Sequence, residues 1–250
     1  MALLMKSESG QAYAERRQVK SYDEIYSRGG DKPCRYFWEG RIGLDYKLPK
    51  YLGYLFSLYS GCKSLSVLEL GAGDGYHSKI VKRRLCPEKY VATDISAEGV
   101  GKMRFKGLDA RLADATDLSV FEDNSFDLVF CLDVMHHVER PWRMAQEMLR
   151  VTRKHFFLCE ANGICIPRKL LELTPRNRSV GEKSYTPHSY ASFFSGSSLG
   201  WIKIKPFNFA FAFTPDFMYG AAVRLSEALE KVPALRWQGS SLLIYGQKRQ

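Results

Sequence analysis

The chain has 250 residues, of which 45% are hydrophobic and 26% are charged. These values are typical of globular proteins and exclude disorder of the whole chain. The net charge of +10, from 37 Lys+Arg against 27 Asp+Glu, can attract nucleic acid, anionic lipid or phosphorylated substrates. Because the basic residues are spread along the chain, the charge equally suits a solubility feature without a specific partner.

Cysteine usage favours a reducing compartment. The six cysteines are irregularly spaced without a Cys-x-x-Cys pair, and Cys131 and Cys159 lie in apolar, strand-like runs. Buried free thiols explain this pattern better than a disulfide framework or a zinc site. The first ten residues carry too short an apolar run for a secretory signal, and no 18-residue uncharged apolar stretch occurs. We therefore expect a cytoplasmic protein with neither a metal site nor a transmembrane helix.

Residues 1–64 carry no strong strand signal and predict a helical N-terminal cap. Helices are predicted over 12–26 and over 48–58, the second with Pro49 in its first turn.

From residue 65 to 250 the pattern predicts one α/β domain. Strands alternate with helices up to Glu160, which is typical of a doubly wound parallel sheet, and Ser96 is placed to cap one of the helices. The predicted strands are 66–70, 90–93, 110–113, 126–132 and 155–159. The predicted helices are 76–85, 97–105 and 140–151.

The last third of the chain departs from this alternation. Residues 164–200 predict an insertion or lid after the fifth strand, with a short helix over 189–194. An extended run over 201–213 follows, in which alternate positions are phenylalanine, so four rings are expected on one strand face. These are Phe207, Phe209, Phe211 and Phe213. A helix over 219–231 and a final strand over 240–245 complete the prediction.

The sharpest motif is Val67-Leu68-Glu69-Leu70-Gly71-Ala72-Gly73-Asp74-Gly75, a strand that feeds a glycine-rich turn. Such turns bring bare backbone to a ligand at the carboxyl end of the strand. A dinucleotide fingerprint needs a third glycine where this chain has Tyr76. Glu69, two residues before the first glycine, suits a cationic ligand better than a pyrophosphate. S-adenosylmethionine has a sulfonium and an ammonium group and no phosphate.

Two more acidic residues follow predicted strands. Asp94 ends the second strand and can accept both hydroxyls of a ribose, although this fits NAD as well as S-adenosylmethionine. Asp114 ends the third strand and can meet an adenine amino group, with the backbone amide of Ala115 beside it. Glu69, the loop, Asp94 and Asp114 in this order indicate a nucleoside site.

Four sequence blocks resemble the class I S-adenosylmethionine-dependent methyltransferases, in particular the ubiquinone and menaquinone C-methyltransferase-like (methyltransferase type 11) group. They are VLELGAGDG, VATDIS, ADATDL and SFDLVFCLDVMHHVERPWRMAQEMLRV, between residues 66 and 160. The resemblance implies a Rossmann-like seven-stranded sheet whose antiparallel last strand lies beside the fifth. It also implies S-adenosylmethionine as cofactor and methyl transfer to a small-molecule or lipid-precursor acceptor.

The resemblance implies roles for individual residues as well. Glu69 would contact the methionine moiety, Asp94 the ribose, and Leu132 and Asp133 the sulfonium side, while Tyr22 or Tyr26 would close over the cofactor. The full expected cofactor set is Glu69, Gly71, Ala72, Gly73, Gly75, Asp94, Ile95, Asp114, Ala115, Leu132, Asp133, Tyr22 and Tyr26.

Candidates on the acceptor side come from the loops after the fourth and fifth strands. His137 is the preferred general base, and His136 is placed with the substrate residues, since adjacent residues cannot both face one site. The other substrate candidates are Asn162, Arg168 and Tyr185. The basic segment from Arg168 to Lys183 suits an anionic acceptor, or is a solvated insertion.

Three other functions stay open. A nucleic-acid methyltransferase fits the positive charge, but the chain has Leu132-Asp133-Val134-Met135 where base-amino enzymes have an Asn-Pro-Pro-aromatic or Asp-Pro-Pro-aromatic tetrad. A non-catalytic cofactor-binding protein is opposed by the intact glycine loop. An NAD-dependent oxidoreductase is disfavoured by Glu69 and Tyr76.

Overall fold

The computed structural model describes residues 19–20, 22–27, 41–59, 64–174, 183–196, 198–211 and 213–249. Residues 19–20 and 22–27 are helical, and the remainder of the helix predicted over 12–26 lies outside the described residues. Of residues 1–64 the structure thus describes this helical piece, residues 41–59 and residue 64. The division into a cap, a main domain and a 164–200 insertion stays a prediction.

Seven strands in the described part of the chain form one mixed sheet in the order β3-β2-β1-β4-β5-β7-β6. Strands β1 to β5 are parallel, whereas β7 is antiparallel to both β5 and β6, which confirms the predicted topology. The strands are β1 Ser66–Leu70, β2 Lys89–Asp94, β3 Asp109–Leu112, β4 Phe126–Leu132, β5 Thr152–Ala161, β6 Leu199–Phe207 and β7 Ser241–Lys248.

Helices cover both faces of this sheet. They are α1 Leu48–Tyr59, α2 Tyr76–Leu85, α3 Ala97–Phe105, α4 Pro141–Val151, α5 Ile166–Glu172, α6 Pro187–Phe193 and α7 Tyr219–Glu230. A π-helical turn, Ile42–Lys47, leads into α1, and 3₁₀ turns span Met135–His137, Asp216–Met218 and Arg236–Gln238. The Ser96 side chain accepts the Gly99 N–H and caps α3, as its sequence position predicts.

The core has one layer on each side of the sheet. On one face Tyr51 and Leu55 of α1 pack with Val81 of α2 against the inner strands. On the other face Met144 of α4 and Tyr190 of α6 are buried in a second cluster. β4 is buried over nearly its whole length, which explains its almost continuous apolar sequence. No helix in the described ranges combines the length and apolar character that crossing a bilayer requires.

The extended run predicted over 201–213 is wrong beyond Phe207. Asn208 has a positive φ of 67°, and its backbone N–H donates to the Glu230 carboxylate on α7. The chain therefore turns out of the sheet, and the rings do not share one strand face: Phe207 is buried while Phe213 is exposed. Alternation of aromatic residues does not reveal a single asparagine that takes the left-handed conformation.

Parallel strands bring their carboxyl ends to one edge of the sheet, here called the carboxyl edge. β1, β2, β4 and β5 all end there. The end of β6 lies at the same edge, because Phe207 pairs with Ser241, which in turn pairs with Ala161 at the end of β5. The loops and helices that leave this edge carry the candidate site residues.

Candidate functional site

The glycine loop after β1 is fixed against its neighbours. Gly71, Gly73 and Gly75 all have positive φ, at 63°, 61° and 76°. The Ala72 N–H donates to the Thr93 carbonyl of β2 at 2.9 Å. A Cβ at Gly71 would stand 2.5 Å from a methyl group of Val134, so a side chain at this position would require the Val134 side chain to move. The loop thus offers bare backbone at the carboxyl edge.

Asp94 is tied directly to this loop. Its Oδ2 accepts the Gly73 N–H at 2.7 Å and its Oδ1 accepts the Ser96 N–H at 2.9 Å. Burial raises the pKa of the Asp94 carboxyl, and these backbone hydrogen bonds oppose the rise. The Ser96 hydroxyl also donates to Asp23 of the N-terminal helix at 2.5 Å. Asp94 therefore joins β2 to the loop, and Ser96 joins this region to the cap.

The two predicted cap tyrosines lie over the loop and the turn after β4. Tyr26 is buried, and a Cβ at Gly73 would come within 2.9 Å of its hydroxyl. The Tyr22 ring meets the His137 ring edge-on, with centroids 6.3 Å apart. Their closing over a cofactor stays a prediction. Tyr26 lies next to Gly73 of the loop and Tyr22 next to His137, which are positions where a covering side chain would be needed.

Glu69 is buried within β1. Its carboxylate accepts the Tyr90 hydroxyl at 2.5 Å. Burial raises its pKa, the hydrogen bond from Tyr90 opposes the rise and the charge of Asp94 adds to it, so the resulting pKa is about 7. Because Asp94 acts on the Glu69 carboxyl, the two acids share one electrostatic environment, as the sequence analysis requires of a joint site.

Tyr51 of α1 joins this group, although the sequence analysis did not select it. Its hydroxyl is buried and has no hydrogen-bond partner among the described residues. Burial raises the Tyr51 pKa well above its ordinary value, and the nearby Cys159, Asp133 and Glu69 raise it further. An unpaired buried hydroxyl costs free energy. Such an atom, within electrostatic reach of Asp133 and Glu69, is suited to a ligand that reaches it.

Asp133 follows β4 with a positive φ of 55°. Its backbone N–H donates to the Cys159 carbonyl at 2.7 Å, and Lys47 Nζ lies 3.5 Å from its Oδ2. Both charged side chains are nearly buried. Lys47 comes from the π-helical turn before α1, so nothing in its local sequence indicates this pairing.

Glu160, near the end of β5, organises the turn after β4. It is fully buried and accepts the backbone N–H groups of Val134, Met135 and His136 at 3.1, 2.8 and 3.3 Å. Its Oε2 also lies 2.7 Å from His136 Nδ1. Burial raises the Glu160 pKa, and the backbone N–H groups oppose that rise. The carboxylate thus caps the 3₁₀ turn that carries both histidines.

This network separates the two candidate histidines. His136 is buried against Glu160, whereas His137 is half-buried beside Tyr22, with its ring 4.1 Å from that of His136 between centroids. His137 is therefore the better placed of the two to meet an acceptor, and its role as general base stays a prediction.

The remaining candidates lie around the same edge. Asn162 is buried and donates through Nδ2 to the carbonyls of Trp237 and Gly239, so its amide holds backbone. Asn162 and Tyr185 form an isolated β-bridge, and Arg168 lies half-buried on α5.

Asp114, a candidate on the cofactor side, is partly exposed and accepts the N–H and hydroxyl of Thr116. The remaining cofactor candidates are half-buried at the same edge: Ile95, Ala115 and Leu132.

Comparison with known proteins identifies the class of this fold. A S-adenosylmethionine-dependent methyltransferase structure from Archaeoglobus fulgidus aligns with a TM-score of 0.61 at 16% identity, covering 82% of this chain and 94% of that one. One from Mesorhizobium loti aligns with a TM-score of 0.58 at 18% identity, covering 83% and 100%. The fold is that of class I S-adenosylmethionine-dependent methyltransferases.

Residues 68–159 match the family described as Methyltransferase domain. Over 91 residues the chain is also 33% identical to the phthiotriol/phenolphthiotriol dimycocerosates methyltransferase of Mycobacterium tuberculosis (strain H37Rv). That match covers 35% of this chain and 33% of the relative, so it spans only a third of the relative's length. Residues 68–159 are therefore similar to methyltransferase domains, and the aligned structures from Archaeoglobus fulgidus and Mesorhizobium loti are described as S-adenosylmethionine-dependent.

Replacement of Glu69 by Gln should make the free energy of unfolding less dependent on pH. The folded-state pKa of about 7 exceeds the ordinary 4.5, so the folded protein keeps a proton that the unfolded chain releases. The stabilisation from Glu69 is complete below the unfolded pKa and is lost as pH rises through about 7. The loss amounts to about 3 kcal/mol at most.

Urea denaturation of wild type and Glu69→Gln between about pH 5 and 8 measures the pH dependence of the free energy of unfolding. Wild type should lose stability relative to the variant as pH rises, whereas parallel pH profiles would contradict the assigned pKa.

Proposed function

We propose that this protein transfers a methyl group from S-adenosylmethionine to a small-molecule or lipid-precursor acceptor. The observation that carries the proposal is the bare glycine loop, joined to Asp94 by the Gly73 N–H at 2.7 Å, with buried Glu69 in the same electrostatic environment. The similarity to methyltransferase domains and the fold support it.

S-adenosylmethionine fits the chemistry of these residues. It is a cationic nucleoside without phosphate, and the carboxylates of Glu69 and Asp94 lie by the glycine loop. Two lysines that reach this region, Lys106 and Lys47, are paired with Asp74 and Asp133. The unpaired Tyr51 hydroxyl, buried close to Glu69 and Asp133, is a polar atom that a bound amino-acid group could satisfy.

Each part of the cofactor has candidate partners. Tyr51 and Glu69 would hold the methionine end, and Asp94 with Ile95 would hold the ribose. Adenine would meet Asp114 and Ala115, the sulfonium side would face Leu132 and Asp133, and Tyr22 with Tyr26 would cover the site. The loop positions Gly71, Ala72, Gly73 and Gly75 would line it. When bound, the cofactor would supply an electrophilic methyl carbon attached to a sulfonium.

The chain itself supplies orientation, exclusion of water and, where the acceptor carries a proton, a base. Alignment of reacting groups can lower a barrier by several kcal/mol, up to about 7–11 in favourable systems. His137 would take the proton. Glu160 fixes the turn that carries His137 through three backbone hydrogen bonds, so the position of the base depends on a buried carboxylate.

The acceptor is inferred from relatives and from charge. The Mycobacterium relative is named for lipid acceptors, phthiotriol and phenolphthiotriol dimycocerosates. Arg168 and Lys169 of α5 begin the basic segment that would suit an anionic group. The buried free thiols Cys131, Cys159 and Cys165 agree with a cytoplasmic, reducing location, which stays a prediction.

Asp94→Asn should abolish cofactor binding and lower the stability of the ligand-free protein, because one accepting oxygen becomes an NH2 group that cannot accept the N–H of Gly73 or Ser96. The amide keeps the shape of the side chain and one accepting oxygen but removes the charge that would hold the ribose hydroxyls. In a thermal-shift assay S-adenosylhomocysteine should stabilise wild type by about 2.7 kcal/mol at 100 times its dissociation constant, and NAD should not.

The matched control is Asp109→Asn, an exposed acid at the start of β3. It should retain the full shift. An equal shift in Asp94→Asn, or stabilisation of wild type by NAD alone, would refute the assignment.

Tyr51→Phe should weaken cofactor binding roughly 3- to 10-fold, the equivalent of one ordinary hydrogen bond. Without ligand the variant should be at least as stable as wild type, because it loses a buried hydroxyl that has no partner among the described residues. Calorimetric titration with S-adenosylhomocysteine measures the affinity, and Tyr54→Phe on the exposed side of α1 is the control. Unchanged affinity in Tyr51→Phe would restrict Tyr51 to packing.

A further inference from the structure

Exposed apolar side chains are concentrated in two segments. Of the seventeen large apolar residues exposed in the described part of the chain, nine lie in 166–173 and 213–235. On and just after α5, Ile166, Leu170 and Leu173 are exposed at 63%, 63% and 58%. Their spacing of four and three residues aligns them along one side of the helix.

The second segment carries a longer stripe. The 3₁₀ turn before α7, α7 itself and the turn after it expose apolar residues at alternating spacings of three and four. These are Met218, Ala221, Leu225, Ala228, Val232 and Leu235. The opposite side of α7 is occupied, because Tyr219, Ala222 and Val223 pack on Ile42 and Tyr46 of the cap. Phe217, at 88% exposure, projects beyond the start of the stripe.

The two segments meet at the carboxyl edge. The Ile166 N–H donates to Gln238 Oε1 at 3.2 Å, which joins the start of α5 to the turn that follows Leu235. The Asn162 amide donates to the Trp237 carbonyl in the same turn. We call the exposed apolar residues of 166–173 and 213–235 the apolar rim. It lies at the same edge of the sheet as the glycine loop.

Charge decides what covers the rim. The chain carries a net charge of +10, so a second copy would bring two strongly positive molecules together, whereas an anionic surface would attract the chain. Arg168 and Lys169 are next to the α5 stripe, where Lys169 pairs with Glu172 at 2.9 Å. Arg224 and Lys231 flank the α7 stripe, and Glu227 is also exposed on that helix. Apolar side chains bordered by basic residues on surface helices are typical of segments that lie in a membrane interface.

We propose that the apolar rim docks this protein on the surface of an anionic phospholipid bilayer. The apolar side chains enter the interface while Arg168, Arg224 and Lys231 contact lipid phosphates. Docking at this edge brings the glycine loop and His137 towards the bilayer, so the acceptor is a lipid held in the membrane. The identity of the acceptor rests on the proposed function, whereas the docking itself does not.

The test is co-flotation of the full chain with phosphatidylcholine vesicles that do or do not contain phosphatidylglycerol. Wild type should float with the anionic vesicles, bind the neutral ones weakly and detach as salt is raised. Phe217→Ser combined with Leu225→Ser should reduce the affinity for anionic vesicles about tenfold or more, because two apolar side chains no longer enter the interface.

Phe105→Ser is the matched control. Phe105 is 86% exposed, but α3 starts at the carboxyl edge and ends at Phe105 on the opposite edge of the sheet. This variant should bind vesicles like wild type. Failure of wild type to float with anionic vesicles, or equal loss in Phe105→Ser, would overturn the proposal. So would a dimer in sedimentation velocity that the Phe217→Ser, Leu225→Ser variant dissociates.

The thermal shift with S-adenosylhomocysteine, measured on the same samples, keeps this proposal separate from the proposed function. Rim and control variants should both show the wild-type shift. Vesicle binding without any shift would leave the docking standing and remove the methyltransferase. A normal thermal shift without vesicle binding would overturn the docking and leave the proposed cofactor binding standing.

Discussion

The placement of acidic side chains at the ends of parallel strands is the constraint on which the site depends. Glu69 lies in β1 and Asp94 ends β2, so the pairing of these strands fixes the separation of the two carboxyl groups. Burying them is costly, which is why the pKa of each is raised. Tyr90 and the loop N–H groups offset part of that cost. A cationic ligand would offset more of it.

A further buried carboxylate, Glu160, performs the equivalent task on the other side of the site. It holds the turn after β4, and that turn places Val134 against Gly71. The glycine loop is therefore enclosed between β2 on one side and this turn on the other. The N-terminal cap completes the enclosure through Asp23, which accepts the Ser96 hydroxyl, and through Lys47 at Asp133.

Features written in contiguous sequence could be predicted, and those created by packing could not. The alternation of strands and helices, the glycine loop and the strand-end acids are local patterns, and the structure has the strands and helices close to the predicted residues. Tyr51 and Lys47 reach the site only because the cap packs over α2, and no nearby motif marks them. The Phe207 to Phe213 prediction was wrong because Asn208 redirects the chain through one left-handed residue.

We infer that one cradle at the carboxyl edge binds a positively charged nucleoside, with the apolar rim beside it. The most direct measurement is a crystal structure of the chain grown with S-adenosylhomocysteine. We expect the ribose on Asp94, the adenine near Asp114, and the amino-acid group reaching Glu69 and the hydroxyl of Tyr51. Ligand density elsewhere on the molecule, or a cradle without ligand at saturating concentration, would contradict this inference.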